Sequence, residues 1–247
     1  YCLEDNIDIL FTADCGITNK KEIEYSINEL GLQYIFVFDH HNIQYDKLYE
    51  HNNVFYINNK YSDNKDYHVC GAGLVYLVFK KYYNNISNTL YAGIATIGDM
   101  VEINYSNINR KLVKDSLYIL NNKLEELEKE NIKLYEFLSE IIYNFSYKTI
   151  TEMDYGFSIC PAINALSRFH KQDIILEYYN EDNQRKRKQI LKQIKENNEH
   201  RKEIQMKLVI VRHGDPDYSI DSLTEKGWKE VEYLSERLAK LDVKEFY

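Results

Sequence analysis

Two short apolar runs, Ile7 to Thr12 and Tyr34 to Phe38, end at Ala13-Asp14-Cys15-Gly16 and at Asp39-His40-His41 and are separated by a single segment of helical periodicity. That order, apolar strand, helix, apolar strand, constrains the chain most. Strands apolar along their whole length belong in a parallel sheet covered on both faces, and the connection between them is a right-handed crossover. The intervening helix has Asn19 as a candidate cap with Glu22 three residues on, Ile23, Ile27 and Leu30 on one face, and Gly31 to stop it. Gly16 permits a sharp turn after the first strand. The pattern predicts an α/β fold, a parallel sheet flanked by helices.

In an open parallel sheet the carboxyl ends of neighbouring strands form the ligand-binding edge. Asp14, in Ala13-Asp14-Cys15-Gly16, and Asp39-His40-His41 therefore stand side by side at that edge. Carboxylate oxygens and imidazole nitrogens so placed suit Mn²⁺ or a similar divalent ion. Asp99, after another apolar segment, is a further candidate ligand. The competing reading makes the acids helix caps and the histidines polar loop residues.

Val54 to Ile57 reads as a third strand and Tyr61 to His68 as an exposed loop. Cys70-Gly71-Ala72-Gly73 opens an apolar helix, and another around Leu90 to Thr96 reaches Gly98-Asp99-Met100. Residues from Asn107 to about Asn144 form a helical subdomain. Thr149 to Ile159 reads as irregular or extended, Pro161 and Asn164 lead into a helix, and Asp182 to Gln205 is a long charged helix. At Met206 the character changes: a new apolar strand, Lys207 to Val211, then Arg212-His213-Gly214, a polar loop, and a helix from Thr224 to Lys240. The expected divisions are 1–105 for the α/β core, 106–180 for the helical subdomain with the Pro161 to Arg168 segment, 181–205 for the connecting helix, and 206–247 for a short β-α fragment.

Composition narrows the function. A net charge of −8 with 28% charged residues argues against coating nucleic acid non-specifically, although a local basic groove remains possible. The run Arg185-Lys186-Arg187-Lys188, with Lys192 and Lys195, tracks a DNA backbone or forms a solvated helix face. No apolar run approaches the roughly 20 residues that span a bilayer, which gives the expectation of a cytoplasmic chain without membrane contact. Cys2, Cys15, Cys70 and Cys160 form no CxxC pair and read as free thiols. Tyr1 followed at once by a strand predicts an upstream segment. Oligomeric state is not legible.

Asp14-Cys15-Gly16-Ile17-Thr18-Asn19, Asp39-His40-His41 and Gly98-Asp99-Met100-Val101 resemble, in order, the second, third and fourth motifs of the DHH phosphoesterase family. Cys70 to Gly73 and Pro161-Ala162-Ile163-Asn164-Ala165-Leu166-Ser167-Arg168 are similar to its RecJ-type branch of single-strand DNA exonucleases, a likeness covering residues 1–205. The resemblance implies 5′ to 3′ hydrolysis of single-stranded DNA in repair and recombination, with two Mn²⁺ or Mg²⁺ ions. Asp14 would bridge the ions, and His40 and Asp99 would bind one. His41 would face substrate phosphate, and Asp39 would orient the neighbouring histidines. Arg168 would meet a DNA phosphate, or else form a structural ion pair. Ala162 stands where the branch carries arginine. The first motif, an Asp-x-Asp strand, is not in the sequence, so the expectation is a weak ion site and an inactive isolated chain. Alternatives are a DHH phosphoesterase for short oligonucleotides, cyclic dinucleotides or pyrophosphate, or a non-catalytic scaffold.

Leu208 to Gly214 with Leu223-Thr224-Glu225-Lys226-Gly227 resembles the opening of the histidine phosphatase, or phosphoglycerate mutase-like, superfamily. By that likeness His213 would be the phosphate-accepting nucleophile and Arg212 would neutralise the transferred group. The superfamily's later arginine and second histidine are not in residues 206–247, so the fragment is expected to be inactive. The expectation is a junction of two unrelated reading frames at Gln205 and Met206.

Overall fold

A computed structural model describes residues 7–43, 48–61, 68–83, 85–104, 106–206, 216–217 and 222–238. The chain divides into two compact units, Tyr1–His200 and Arg201–Tyr247.

In the first unit, β1 (Ile9–Ala13), β2 (Tyr34–Phe38) and β3 (Val54–Ile57) form a parallel sheet in the order β1-β2-β3, with α1 (Lys20–Asn28) crossing between the first two. The register pairs Ala13 with Phe38, and Phe38 with Ile57, so the strands end level. Level ends carry the next residues onto one rim: the Asp14 amide donates to the Phe38 carbonyl at 2.8 Å, and the Asp39 amide to that of Ile57 at 3.1 Å. One sheet face, through Ile35, Val37 and Val54, closes on Ile23 and Leu32.

The other face departs from the expected cover on both sides. Ile9, Phe11, Tyr34 and Phe55 are large apolar side chains left exposed, Phe11 by 56%. Phe11, Phe36 and Phe55 stack across the three strands at 5.0 Å between ring centroids. The helix α2 (Gly71–Phe79) covers only the carboxyl end, where Phe38 packs with Leu74 and Phe79. A hollow of about 640 Å³ lined by Phe11, Phe38, Val75 and Phe79 remains beside it.

The larger core is helical. It gathers α3 (Ile86–Gly98), α4 (Asn107–Asn122), α5 (Leu124–Glu130), α6 (Ile132–Ile141), α8 (Cys160–Arg168), α9 (Asp173–Asn180) and the first half of α10 (Gln184–Met206) around Leu120, Leu127, Leu138, Tyr155, Tyr178 and Ile194. The segment 149–159 is not extended. Thr151 and Asp154 form a reciprocal capping box that starts α7 (Glu152–Asp154), which passes through a π-helical turn, Tyr155–Ile159, into α8. Pro161 is the second residue of α8, directly after the π-helical turn.

Charged side chains fasten this core. Glu130, at the end of α5, accepts from the Ile86 and Ser87 amides and the Ser87 hydroxyl, closing the α3 N-terminus. Arg187 is buried, not part of a solvated basic face: its guanidinium forks onto Glu136 of α6 at 2.8 and 3.2 Å. Lys195 pairs with Glu140, Lys192 with Glu196 and Lys186 with Glu181.

These contacts give an acid limit to stability. Burial works to raise the Glu130 and Glu136 carboxyls, but hydrogen bonds from Ser87 and Ile86, and from Arg187 and Gln184, hold both below the ordinary range. Groups depressed in the folded state contribute stability above their unfolded pKa of about 4.3 and lose it as pH falls through the folded values. Urea midpoints are therefore expected to stay level from pH 8 to 6 and to drop below about pH 4.3. A midpoint unchanged at pH 3 would contradict this.

In the second unit, β4 (Pro216–Asp217) and β5 (Ser222–Leu223) pair antiparallel where a polar loop was expected, and α11 (Glu225–Leu238) follows. The Thr224 hydroxyl caps α11 by accepting from the Gly227 amide at 3.0 Å. The expected strand at 207–211, with Arg212 and His213, lies outside the described residues. No helix among the described residues is long and apolar enough to cross a membrane.

Candidate metal centre

Asp14 leaves β1 with φ of +64°, in the left-handed region that a non-glycine residue enters at a cost, and such strain gathers at functional sites. Gly16 follows at φ +112° and completes the turn that the sequence required of it. The conformation turns the Asp14 carboxylate toward the β2 rim, where Oδ1 stands 3.0 Å from His40 Nε2. Asp99, at the carboxyl end of α3, brings Oδ2 to 3.3 Å from the same nitrogen. Asp14, His40 and Asp99, distant in sequence, thus converge. His40 is 14% exposed in its side chain, and its Nε2 is buried without a hydrogen-bond partner among the described residues.

Neighbouring donors around an octahedral ion with bonds of about 2.1 Å stand about 3.0 Å apart. The two separations match that spacing. An imidazole nitrogen between two carboxylates, without a hydrogen bond among the described residues, is well served by a shared cation, and the mixed oxygen and nitrogen set suits Mn²⁺ or a similar divalent transition ion. Asp14 and His40 fit such an ion, with His41 as the third group whose donor atom lies within 4.8 Å of both; Asp99 approaches the same His40 nitrogen and is not in that set.

The paired histidines divide their work. Asp39 is 1% exposed and fully engaged: Oδ2 accepts from the Ile17 amide at 3.0 Å, and Oδ1 from the His41 amide at 3.0 Å and the His41 ring Nδ1 at 2.7 Å. Burial works to raise its carboxyl, but these donors hold it below the ordinary range. Among the described residues the Asp39 carboxylate bonds to His41 and not to His40. The same bond raises the His41 imidazole above its ordinary value. With Nδ1 engaged, Nε2 of His41 is the ring atom left to act, on a side chain 60% exposed. Donor atoms of Asp14, His40 and His41 lie within 4.8 Å of one another, so His41 also stands within ligand reach.

Sequence reading singled out Cys70 to Gly73 as a helix start but missed what Gly71 does at the site. A β-carbon at Gly71 would lie 2.6 Å from Asp14 Oδ1 and 2.9 Å from its Cα, so α2 begins directly against the carboxylate. The signal was a glycine at the first position of an apolar helix, where nothing but close approach calls for one.

Two clefts flank the cluster. One of about 470 Å³ contains Asp14 and Asp99 with Tyr91, Ile163, Asn164 and Tyr179. The other, about 380 Å³, contains His40, His41 and Asp99 with Asn59, Lys60 and His68. Arg168 joins neither: it is exposed in the last turn of α8, without an acidic partner among the described residues. Ala162, which stands where the branch carries arginine, is buried.

Residues 1–98 match the family model described as the DHH family, N-terminal domain. No curated protein matches the chain in sequence. Among solved structures, RecJ in complex with Mn²⁺ from Thermus thermophilus is 21% identical with a TM-score of 0.62, over 81% of this chain and 29% of that one. Exonuclease RecJ bound to manganese is 22% identical with a TM-score of 0.60, over 81% of this chain and 48% of that one. RecJ in complex with Mg²⁺, also from Thermus thermophilus, is 18% identical with a TM-score of 0.50, over 83% and 33%. The chain thus spans less than half the length of these proteins. It carries a DHH-family N-terminal domain match over residues 1–98 and has the fold of the RecJ structures.

Proposed function

We propose that residues 1–200 are part of a metal-dependent phosphodiesterase whose substrate is single-stranded DNA, cut from the 5′ end. The observation that carries this reading is the buried His40 Nε2, unbonded among the described residues, between Asp14 and Asp99. Asp14, His40 and Asp99 hold the ion. When bound, Mn²⁺ or Mg²⁺ supplies an activated water and neutralises charge on the phosphoryl oxygens. His41, fixed by Asp39, presents Nε2 to a phosphate oxygen. Arg168, exposed and unpaired among the described residues, meets a phosphate further along the strand. By itself the 247-residue chain holds the ion weakly and turns substrate over slowly or not at all. For residues 206–247 the histidine phosphatase likeness, with His213 and Arg212, rests on sequence alone.

Titration of the chain with Mn²⁺, followed through the electron paramagnetic resonance signal of the free ion, tests the site. Saturable binding is expected, weakened at least about tenfold by Asp14→Ala and by His40→Ala and unchanged in Lys188→Ala. Absence of saturable binding would favour a non-catalytic scaffold.

A further inference from the structure

We propose that the cleft walled by Asp14, Asp99, Tyr91 and Tyr179 receives a single unpaired nucleobase of the substrate, and that this cleft is the source of selectivity for single strands. The inference rests on the phosphodiesterase reading above and assigns the substrate's orientation in that site.

The two clefts beside the cluster differ in chemistry. Apart from the two carboxylates, the first is lined by apolar and aromatic groups of α3, α6, α8 and α9, with the amide of Asn164. Aromatic and aliphatic walls suit the flat faces of a base. The Asn164 amide can both donate and accept at a base edge. Tyr91 of α3 and Tyr179 of α9 both line it, so two aromatic residues from different helices contribute to the cleft. Its volume of about 470 Å³ is within the roughly 300–1,000 Å³ range of small-ligand sites.

The second cleft is the more polar, with His41, Asn59, Lys60, His68 and Ser106 around it beside the carboxylates of Asp99 and Glu102. Asn59 is 6% exposed, and its amide oxygen has no partner among the described residues. That lining suits sugar hydroxyls and phosphate oxygens. A nucleotide whose phosphate sits at Asp14, His40 and Asp99 therefore runs its backbone along the histidine side and turns its base into the apolar side. The larger hollow under the sheet offers no carboxylate near the reacting phosphate and no side-chain amide except Asn88. A base held in a duplex cannot make this turn without leaving its stack, at a cost of a few kcal/mol. Discrimination against double strands follows from that.

Binding to the 247-residue chain in the presence of Mn²⁺ tests the inference, with deoxyadenosine 5′-monophosphate and deoxyribose 5-phosphate as probes. The nucleotide is expected to bind about tenfold or more tightly than the base-free sugar phosphate, the scale of one base stacked on an aromatic ring. Ile163→Trp, which fills the cleft, and Tyr91→Ala, which removes a wall, are each expected to erase that difference. Both should leave affinity for Mn²⁺ and for deoxyribose 5-phosphate unchanged, which also shows that they fold. Nuclear Overhauser contacts between adenine protons and tyrosine rings should appear in the unaltered chain and vanish in Ile163→Trp. Equal affinities for the two probes with Mn²⁺ bound, or a difference that survives both variants, would overturn the base cleft and leave the metal reading intact. A chain that binds no Mn²⁺ overturns the metal reading and this inference with it.

Discussion

Replacing Arg187 with alanine is expected to lower the unfolding free energy of residues 1–200 by about 3–5 kcal/mol, the scale of breaking a buried ion pair from one side. The guanidinium is 7% exposed and its partner Glu136 12%, so neither charge is relieved by water when the other is lost. Arg187 also donates to the Asp182 carbonyl at 2.7 Å, tying the start of α10 to the chain just before it. In the variant Glu136 would keep only the Gln184 amide, at 3.2 Å. Arg187→Lys should fall between, because an ammonium restores the charge but not the two-pronged fork. Lys188→Ala, one residue on and exposed, should shift stability by less than about 0.5 kcal/mol. Urea denaturation of the three variants measures this, and a loss under about 1 kcal/mol in Arg187→Ala would mean that the Arg187–Glu136 pair does not hold α6 and α10 together.

Gly71→Ala is expected to weaken Mn²⁺ at least about tenfold, as far as loss of a ligand-orienting contact does elsewhere. Alanine is the better helix former, so the substitution should help α2 if propensity were all that mattered. The added β-carbon instead meets Asp14 at both its side chain and its Cα. Because Asp14 already occupies the left-handed region, its backbone has little room to retreat, and Oδ1 must leave its 3.0 Å approach to His40. The same titration that tests the site reads this out, with circular dichroism to confirm that the helices persist. Undiminished Mn²⁺ binding in a folded Gly71→Ala chain would show that the Asp14 carboxylate is not a ligand.

The sequence made the sheet and its rim legible because two local rules sufficed. Apolar runs of strand length around one helical segment dictate a parallel pair, and a parallel pair with level ends delivers Asp14 and Asp39 to the same edge. Asp99 was a candidate from its place after an apolar segment, and the motif resemblance gave it a role; its position depends on where α3 ends after packing against α4, a tertiary outcome that no local pattern encodes. The division of labour between His40 and His41 was legible only in part, since it depends on Asp39 spending both oxygens on His41 and Ile17. Arg187 sits in a run of four basic residues, and charge pattern alone gives no reason to choose the one that faces inward. The segment 149–159 read as irregular because its helical start rests on a capping box, Thr151 with Asp154, rather than on apolar periodicity.

The row of stacked phenylalanines on the uncovered sheet face has a practical consequence. Together with the free edge of β1, whose other edge alone is paired among the described strands, it forms a greasy, strand-ready border of the kind that draws chains into clumps. Concentrated preparations of this polypeptide will tend to cluster through that border, so dilute solutions or a mild detergent are the proper setting for any titration of its ions.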